Sequence, residues 1–101
     1  MFIRVSIMKF PDLTKAKLYL AIWEKEVIPA LEKDPNCHSV DLINIGEAKV
    51  MGIAKYRSEE QFQETNKWLL PMVSEYVKSL SGTVESLPGE VMLSWRRTIK
   101  N

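Results

Sequence analysis

Residues 38–61 read HSVDLINI-GEA-KVMGIAKYR-SEEQ, and the order of signals in this stretch sets the fold. Two runs rich in β-branched and aliphatic residues, 38–45 and 49–57, flank Gly46-Glu47-Ala48, a connection that suits an antiparallel hairpin. Gly52 inside the second run predicts a bulge or the close approach of another group. Ser58-Glu59-Glu60-Gln61 then forms a capping box, with a serine hydroxyl that can reach forward and a glutamine that can reach back. The helix it opens carries Phe62, Thr65, Leu69, Val73, Tyr76 and Leu80 at spacings of three and four. Pro71 inside that pattern predicts a kink, and Ser81-Gly82 ends it.

Towards the N-terminus, residues 2–8 alternate. Ile3, Val5 and Ile7 make one plainly apolar face, while Phe2, Arg4, Ser6 and Met8 make the other. Asp12 or Thr14 can cap a following helix by accepting from a free backbone N–H. That helix is expected to run to about Lys33, with Ala16, Leu20, Trp23, Val27 and Leu31 on its core stripe. Pro29 should disturb it near Val27 or Ile28. Leu18 and Ile22 fall on the opposite side and suggest a partner surface. Asp34-Pro35-Asn36 signals a turn into the hairpin. Beyond the second helix, Leu87-Pro88-Gly89 reads as a turn, and Val91, Leu93, Trp95 and Ile99 alternate along a last strand.

The order is therefore β-α-β-β-α-β over one domain, residues 1–101: an α+β ferredoxin-like sandwich with a four-stranded antiparallel sheet and both helices on one face. The other sheet face, expected to carry Phe2, Met8 and Met92, would stay wet in a monomer, so a second copy packed sheet to sheet is expected to cover it.

Bulk composition excludes several function classes. There are 14 Lys+Arg against 13 Asp+Glu, so no net field gathers nucleic acid or an anionic membrane surface. Arg96, Arg97 and Lys100 cluster near the end as a solvated strand terminus. The one cysteine, Cys37, allows no internal disulfide. With no signal peptide and no long apolar run, a cytoplasmic, reducing location is expected. No phosphate-binding glycine loop is present. His38 is the lone histidine, and as a strand neighbour of Cys37 its side chain points to the opposite face. Neither a chelate nor a thiol–imidazole couple follows, and no metal or other cofactor is expected. Glu24, Glu26, Glu59 and Glu60 sit on helix surfaces.

The aromatic residues are the candidate ligand contacts. Trp68 lies about 100° from the core stripe of the second helix, at a pocket wall or a subunit contact. Trp23 and Tyr76 fall on the core stripes and can line a cavity between helices and sheet, or fill the core.

Trp23-Glu24-Lys25-Glu26-Val27-Ile28-Pro29-Ala30-Leu31 leading to Asp34-Pro35-Asn36-Cys37, together with Tyr56-Arg57-Ser58-Glu59-Glu60-Gln61-Phe62, resembles the antibiotic biosynthesis monooxygenase (ABM) superfamily of dimeric α/β barrels. The likeness spans nearly the whole chain through loose motifs. It implies a homodimer with a ligand cavity in each subunit. It also implies cofactor-independent oxygenation of a small aromatic or polycyclic compound. The alternative is a non-catalytic, ligand-binding or stress-associated barrel. The haem-degrading branch has an asparagine where this chain has Ile7 and a tryptophan where it has Thr65, which argues against haem degradation. Trp68 and Asn66 are the nearest aromatic and amide, so Trp68, Asn66, Tyr76 and Trp23 are the expected ligand-binding residues.

Overall fold

The computed structural model describes residues 1–98. Strand β1 spans Phe2–Lys9, helix α1 Leu13–Ile22, a π-helical turn Trp23–Val27, helix α2 Ile28–Glu32, β2 Cys37–Gly46, β3 Lys49–Tyr56, α3 Glu59–Ser79 and β4 Thr83–Glu90. The π turn joins α1 to α2 into one helical unit, so the expected β-α-β-β-α-β order stands. The strands form one antiparallel sheet in the order β2-β3-β1-β4. No helix among the described residues is long and apolar enough to cross a membrane.

Local chemistry accounts for the helix starts. The Asp12 carboxylate accepts from the Lys15 backbone N–H at 2.9 Å, and the Ser58 hydroxyl accepts from the Gln61 backbone N–H at 3.2 Å. The reciprocal half of the box is not made, because the Gln61 Oε1 finds no partner. Pro29 has no N–H, and its ring would crowd the Lys25 carbonyl in a regular helix. The wider π turn spans that carbonyl, and the Ile28 N–H bonds to the Trp23 oxygen five residues back. Helix α3 continues through Pro71, which is exposed, so water can satisfy the carbonyl it leaves free.

The core lies on the face opposite to the one expected. Arg4, Ser6 and Met8 of β1 are buried under the helices, with Phe2 beside them, while Ile3, Val5 and Ile7 face away. Neighbouring strands follow the same parity. Val50, Gly52, Ala54 and Tyr56 of β3 point to the helices, and Met51 and Ile53 point away, beside Ile43 of β2. The surface awaiting a partner is thus Ile3, Val5, Ile7, Met51 and Ile53, not Phe2 and Met8. The apolar count on β1 misled because the buried face must also hold the polar Arg4 and Ser6.

Two further corrections concern the helical unit and the C-terminus. Tyr19, not Leu20, joins Ala16, Trp23 and Val27 in the core. Leu20 is exposed, Leu31 is half-buried, and Ile22 packs on the core instead of facing away. Residues 87–89 are not a turn. They lie within β4, where Pro88 pairs with Arg4. Because β4 is an edge strand, the N–H missing from Pro88 costs no ladder bond if that side faces outward. Beyond Glu90 only the Val91 N–H to Met1 oxygen bond, 3.0 Å, continues the pairing. Residues 91–98 form no strand; Met92 and Leu93 are almost fully exposed, and Trp95 is largely exposed, with the Arg97 guanidinium over its ring. Ile99 and Lys100 lie outside the described residues.

Candidate ligand site

Arg4 enters the space between sheet and helices because β1 alternates and its inward face is the one the helices cover. The side chain is only 5 % exposed. Its Nη1 donates to the Asn66 Oδ1 at 2.8 Å, which ties β1 to α3. Its Nε has no partner. Among the described residues no carboxylate pairs with it; the one ion pair found there joins Lys67 to Glu64 on the exposed face of α3. A buried guanidinium without a counter-charge is unfavourable by several kcal/mol, on the order of a desolvated ion, and is uncommon unless something else supplies the negative charge.

Other unpartnered donors surround it. The Tyr19 hydroxyl, the Trp23 Nε1 and the Tyr56 hydroxyl are all buried and unbonded. Arg4, Tyr19 and Trp23 line one cavity with Ser6, Met8 and Gly52, about 10 Å³ open to the centre of a water molecule. That is space for about one water or one ligand oxygen. Gly52 forms no bulge. It serves close approach, since a Cβ there would stand 3.3 Å from the Leu42 Cδ2. Tyr56 does not line this cavity; its hydroxyl lies to one side, near enough to Arg4 and Cys37 to feel both.

The electrostatics keep these groups protonated. Burial pushes Tyr19 up to about 12, against smaller lowering effects from nearby Trp23 and Arg4. The Trp23 N–H stands near that hydroxyl without hydrogen-bond geometry. Burial likewise raises Tyr56, with Arg4 opposing, and burial raises the Cys37 thiol. Both tyrosines are therefore donors at neutral pH, and Cys37 is no thiolate nucleophile. The cavity lining contains no carboxylate, histidine or cysteine. His38 stands exposed on β2, away from the cavity, so the residues present do not fit a haem held by an axial histidine there. No group of three or more metal-ligating side chains occurs among the described residues.

The four residues singled out from sequence take different places. Trp23 lines the cavity, and Asn66 reaches it through Arg4. Trp68 does not line it. Its Nε1 donates to the Asp34 Oδ2 at 2.8 Å, where the Thr65 hydroxyl also donates at 2.8 Å, while Oδ1 accepts from the Asn36 N–H. Burial alone would raise Asp34, but these hydrogen bonds outweigh it and hold the carboxyl below its usual range. Trp68 thus fastens α3 to the turn before β2. Tyr76 is half-buried against the core and does not line the cavity. Arg4, Tyr19 and Tyr56 were missed from sequence. The available signal was a lone cation on a strand face otherwise bearing Phe2, Ser6 and Met8.

A second depression, about 400 Å³, opens to solvent between α2 and the edge strand β2. It is lined by Ile28, Leu31, Glu32, Cys37 and Val40 among others. Val40 also lines the buried cavity, so the two adjoin at that residue.

No protein-family model matches the chain, and no curated protein is similar enough in sequence to count as a relative. Solved structures do match. A candidate antibiotic biosynthesis monooxygenase from Deinococcus radiodurans superposes with a TM-score of 0.80 at 9% identity, covering 97% of this chain and 99% of that one. A dimeric ferredoxin-like protein from an uncultured marine organism gives 0.77 at 14%, covering 96% and 100%. A variant of SnoaB, a cofactor-independent oxygenase from Streptomyces nogalater, gives 0.74 at 10%, covering 95% and 97%. At these identities the likeness establishes the fold: a four-stranded antiparallel ferredoxin-like sheet of the kind found in ABM-type proteins.

Proposed function

We propose that this chain is a cofactor-independent monooxygenase of the ABM kind, working as a homodimer on a small planar hydroxyaromatic or polycyclic compound. The observation that carries the reading is the buried Arg4, held by Asn66, with no counter-charge and with Tyr19 and Trp23 as unpartnered donors in the same cavity. Such a site binds and stabilises an oxyanion, which is the protein's share of this chemistry.

A suitable substrate carries a methylene acidified by an adjoining hydroxyaromatic ring, and it gives its proton to solvent before it binds as the anion. Its anion passes one electron to O₂, and the carbon radical and superoxide then combine into a peroxide. Loss of water leaves a carbonyl. The balance is RH₂ + O₂ → R=O + H₂O. The methylene supplies all four electrons, so no outside reductant is needed. Arg4 holds the negative charge where it resides before the electron moves, and the neutral Tyr19 donates to the same oxygen. Burial excludes water from the ligand oxygen that carries the charge.

The homodimer is supported by the apolar outer sheet face and the bare Met92, Leu93 and Trp95. It is supported too by the dimeric description of the marine ferredoxin-like structure. A second reading, a ligand-binding barrel without turnover, is favoured by one observation: the cavity offers no carboxylate or imidazole to remove a proton. Oxygen uptake separates the two. With a panel of hydroxyanthrones and naphthols, uptake above the buffer rate should accompany one ¹⁸O atom per product from ¹⁸O₂. Binding of the same compounds with no uptake would leave the non-catalytic reading standing.

A further inference from the structure

We propose, resting on the same reading of the cavity, that the ligand site is bipartite and selects a monoanion by placement of charge. The buried hole around Arg4 takes one oxyanion, and the open groove between α2 and β2 takes the neutral planar body, with Val40 at the passage between them. The hole is too small for more than one ligand oxygen. The groove is large enough for a bicyclic ring, and Ile28, Leu31 and Val40 give it an apolar wall. It belongs with the hole because Val40 lines both and because the π turn carries Trp23 at one end and passes directly to Ile28 at the other.

Charge fixes the orientation. The hole holds one cation and two unpartnered neutral donors, Tyr19 and Trp23, all no more than 5 % exposed, and no acidic group. The groove holds Glu32 and Asp34, and the hydrogen bonds on Asp34 keep it ionised. His38, at the groove, is exposed. A ligand with its single negative charge on an inward oxygen meets Arg4. One carrying a second negative charge on its outer end meets two carboxylates. The site therefore favours an ionised hydroxyl or enol at one end of an otherwise uncharged planar molecule. Dianions and neutral analogues bind less well.

Binding can be tested without turnover. 2-Hydroxy-1,4-naphthoquinone, an anion at neutral pH, and its neutral methyl ether are titrated calorimetrically into the full chain, with each variant's melting curve recorded first. The wild type should prefer the anion. Arg4→Met should weaken the anion roughly ten- to hundredfold, as expected for loss of a charge-assisted hydrogen bond, and leave the ether unchanged. Arg4→Lys should keep part of the preference. Ile28→Asp, on an exposed groove residue, and Val40→Phe, at the passage, should weaken both ligands. Equal affinity for anion and ether, no binding of either, or an anion affinity that Arg4→Met leaves intact would overturn the charge assignment. Anion binding unaffected by both Ile28→Asp and Val40→Phe would overturn the bipartite geometry. A panel that binds in this pattern without oxygen uptake refutes the oxygenase reading and leaves the bipartite site; uptake with the pattern absent does the reverse.

Discussion

At the scale of single residues, Arg4 separates function from stability. Removing an uncompensated buried charge relieves a desolvation penalty; even buried ion pairs, whose charges are compensated, are often replaced by apolar residues at no loss or with a gain of about 1–4 kcal/mol. Leaving Asn66 without its partner offsets part of that, about 1–3 kcal/mol. Arg4→Met is therefore expected to be no less stable than the wild type in urea denaturation, while losing its affinity for anions. A loss of several kcal/mol would mark Arg4 as a structural tie between β1 and α3. Asp34 gives a second residue-level prediction. Its folded-state carboxyl is held below the ordinary value, so its contribution is present above about pH 4 and fades as pH falls through the lowered value. Trp68→Phe removes one of the bonds responsible. It should cost about 1 kcal/mol at pH 7, discounted because Asp34 is half-exposed, and the difference should shrink as the pH falls through the lowered value. A gap that is constant with pH would assign the loss to packing. The sequence displayed all of these side chains, but not which face of β1 was inside. That choice decides whether Arg4 is a surface charge or the centre of a site. Apolar count favoured Ile3, Val5 and Ile7, and the helices cover the other side.

At the scale of elements, most of the fold was legible because its signals were local. The hairpin, the Ser58 cap and the Asp12 cap each rest on neighbours in sequence. Where the structure departs from the reading, tertiary context decides. Pro88 marks a turn only in a central strand, and β4 is at the edge. Leu20 is as apolar as a core residue should be, yet Tyr19 occupies that place, opposite the ring of Phe10 at 5.0 Å. The end of α3 shows the same division. Ser81, not Gly82, takes the left-handed conformation, with φ of 58°. Glycine is required at 82 for another reason: a Cβ would stand 2.8 Å from the Lys9 carbonyl oxygen and from the Phe10 ring. Gly82→Ala should therefore destabilise by about 1–3 kcal/mol, as overpacking does. Gly89→Ala, with nothing within 4 Å of the added carbon, should be near neutral. Equal effects in thermal melts would show that the contact with β1 is not what holds Gly82.

At the scale of the whole molecule, the sheet has one face under the helices and one face, rich in Ile, Val and Met, that no helix among the described residues covers. A homodimer that covers it should bury on the order of 1,000 Å² or more in total. Val5→Lys with Ile53→Lys, paired neighbours on that face, should convert a dimer to monomers in sedimentation. An unchanged sedimentation coefficient would place the contact elsewhere. The dimer would close both sides of the sheet around the Arg4 cavity, and the oxygenase reading stands or falls on that cavity. Its most direct test is oxygen uptake by wild type and Arg4→Met, side by side, at equal concentration and with one hydroxyanthrone. The wild type should consume oxygen well above the buffer rate, and the variant, equally folded, should fall to about that rate. Equal uptake by the two proteins would contradict the central claim that a buried, uncompensated arginine carries the chemistry.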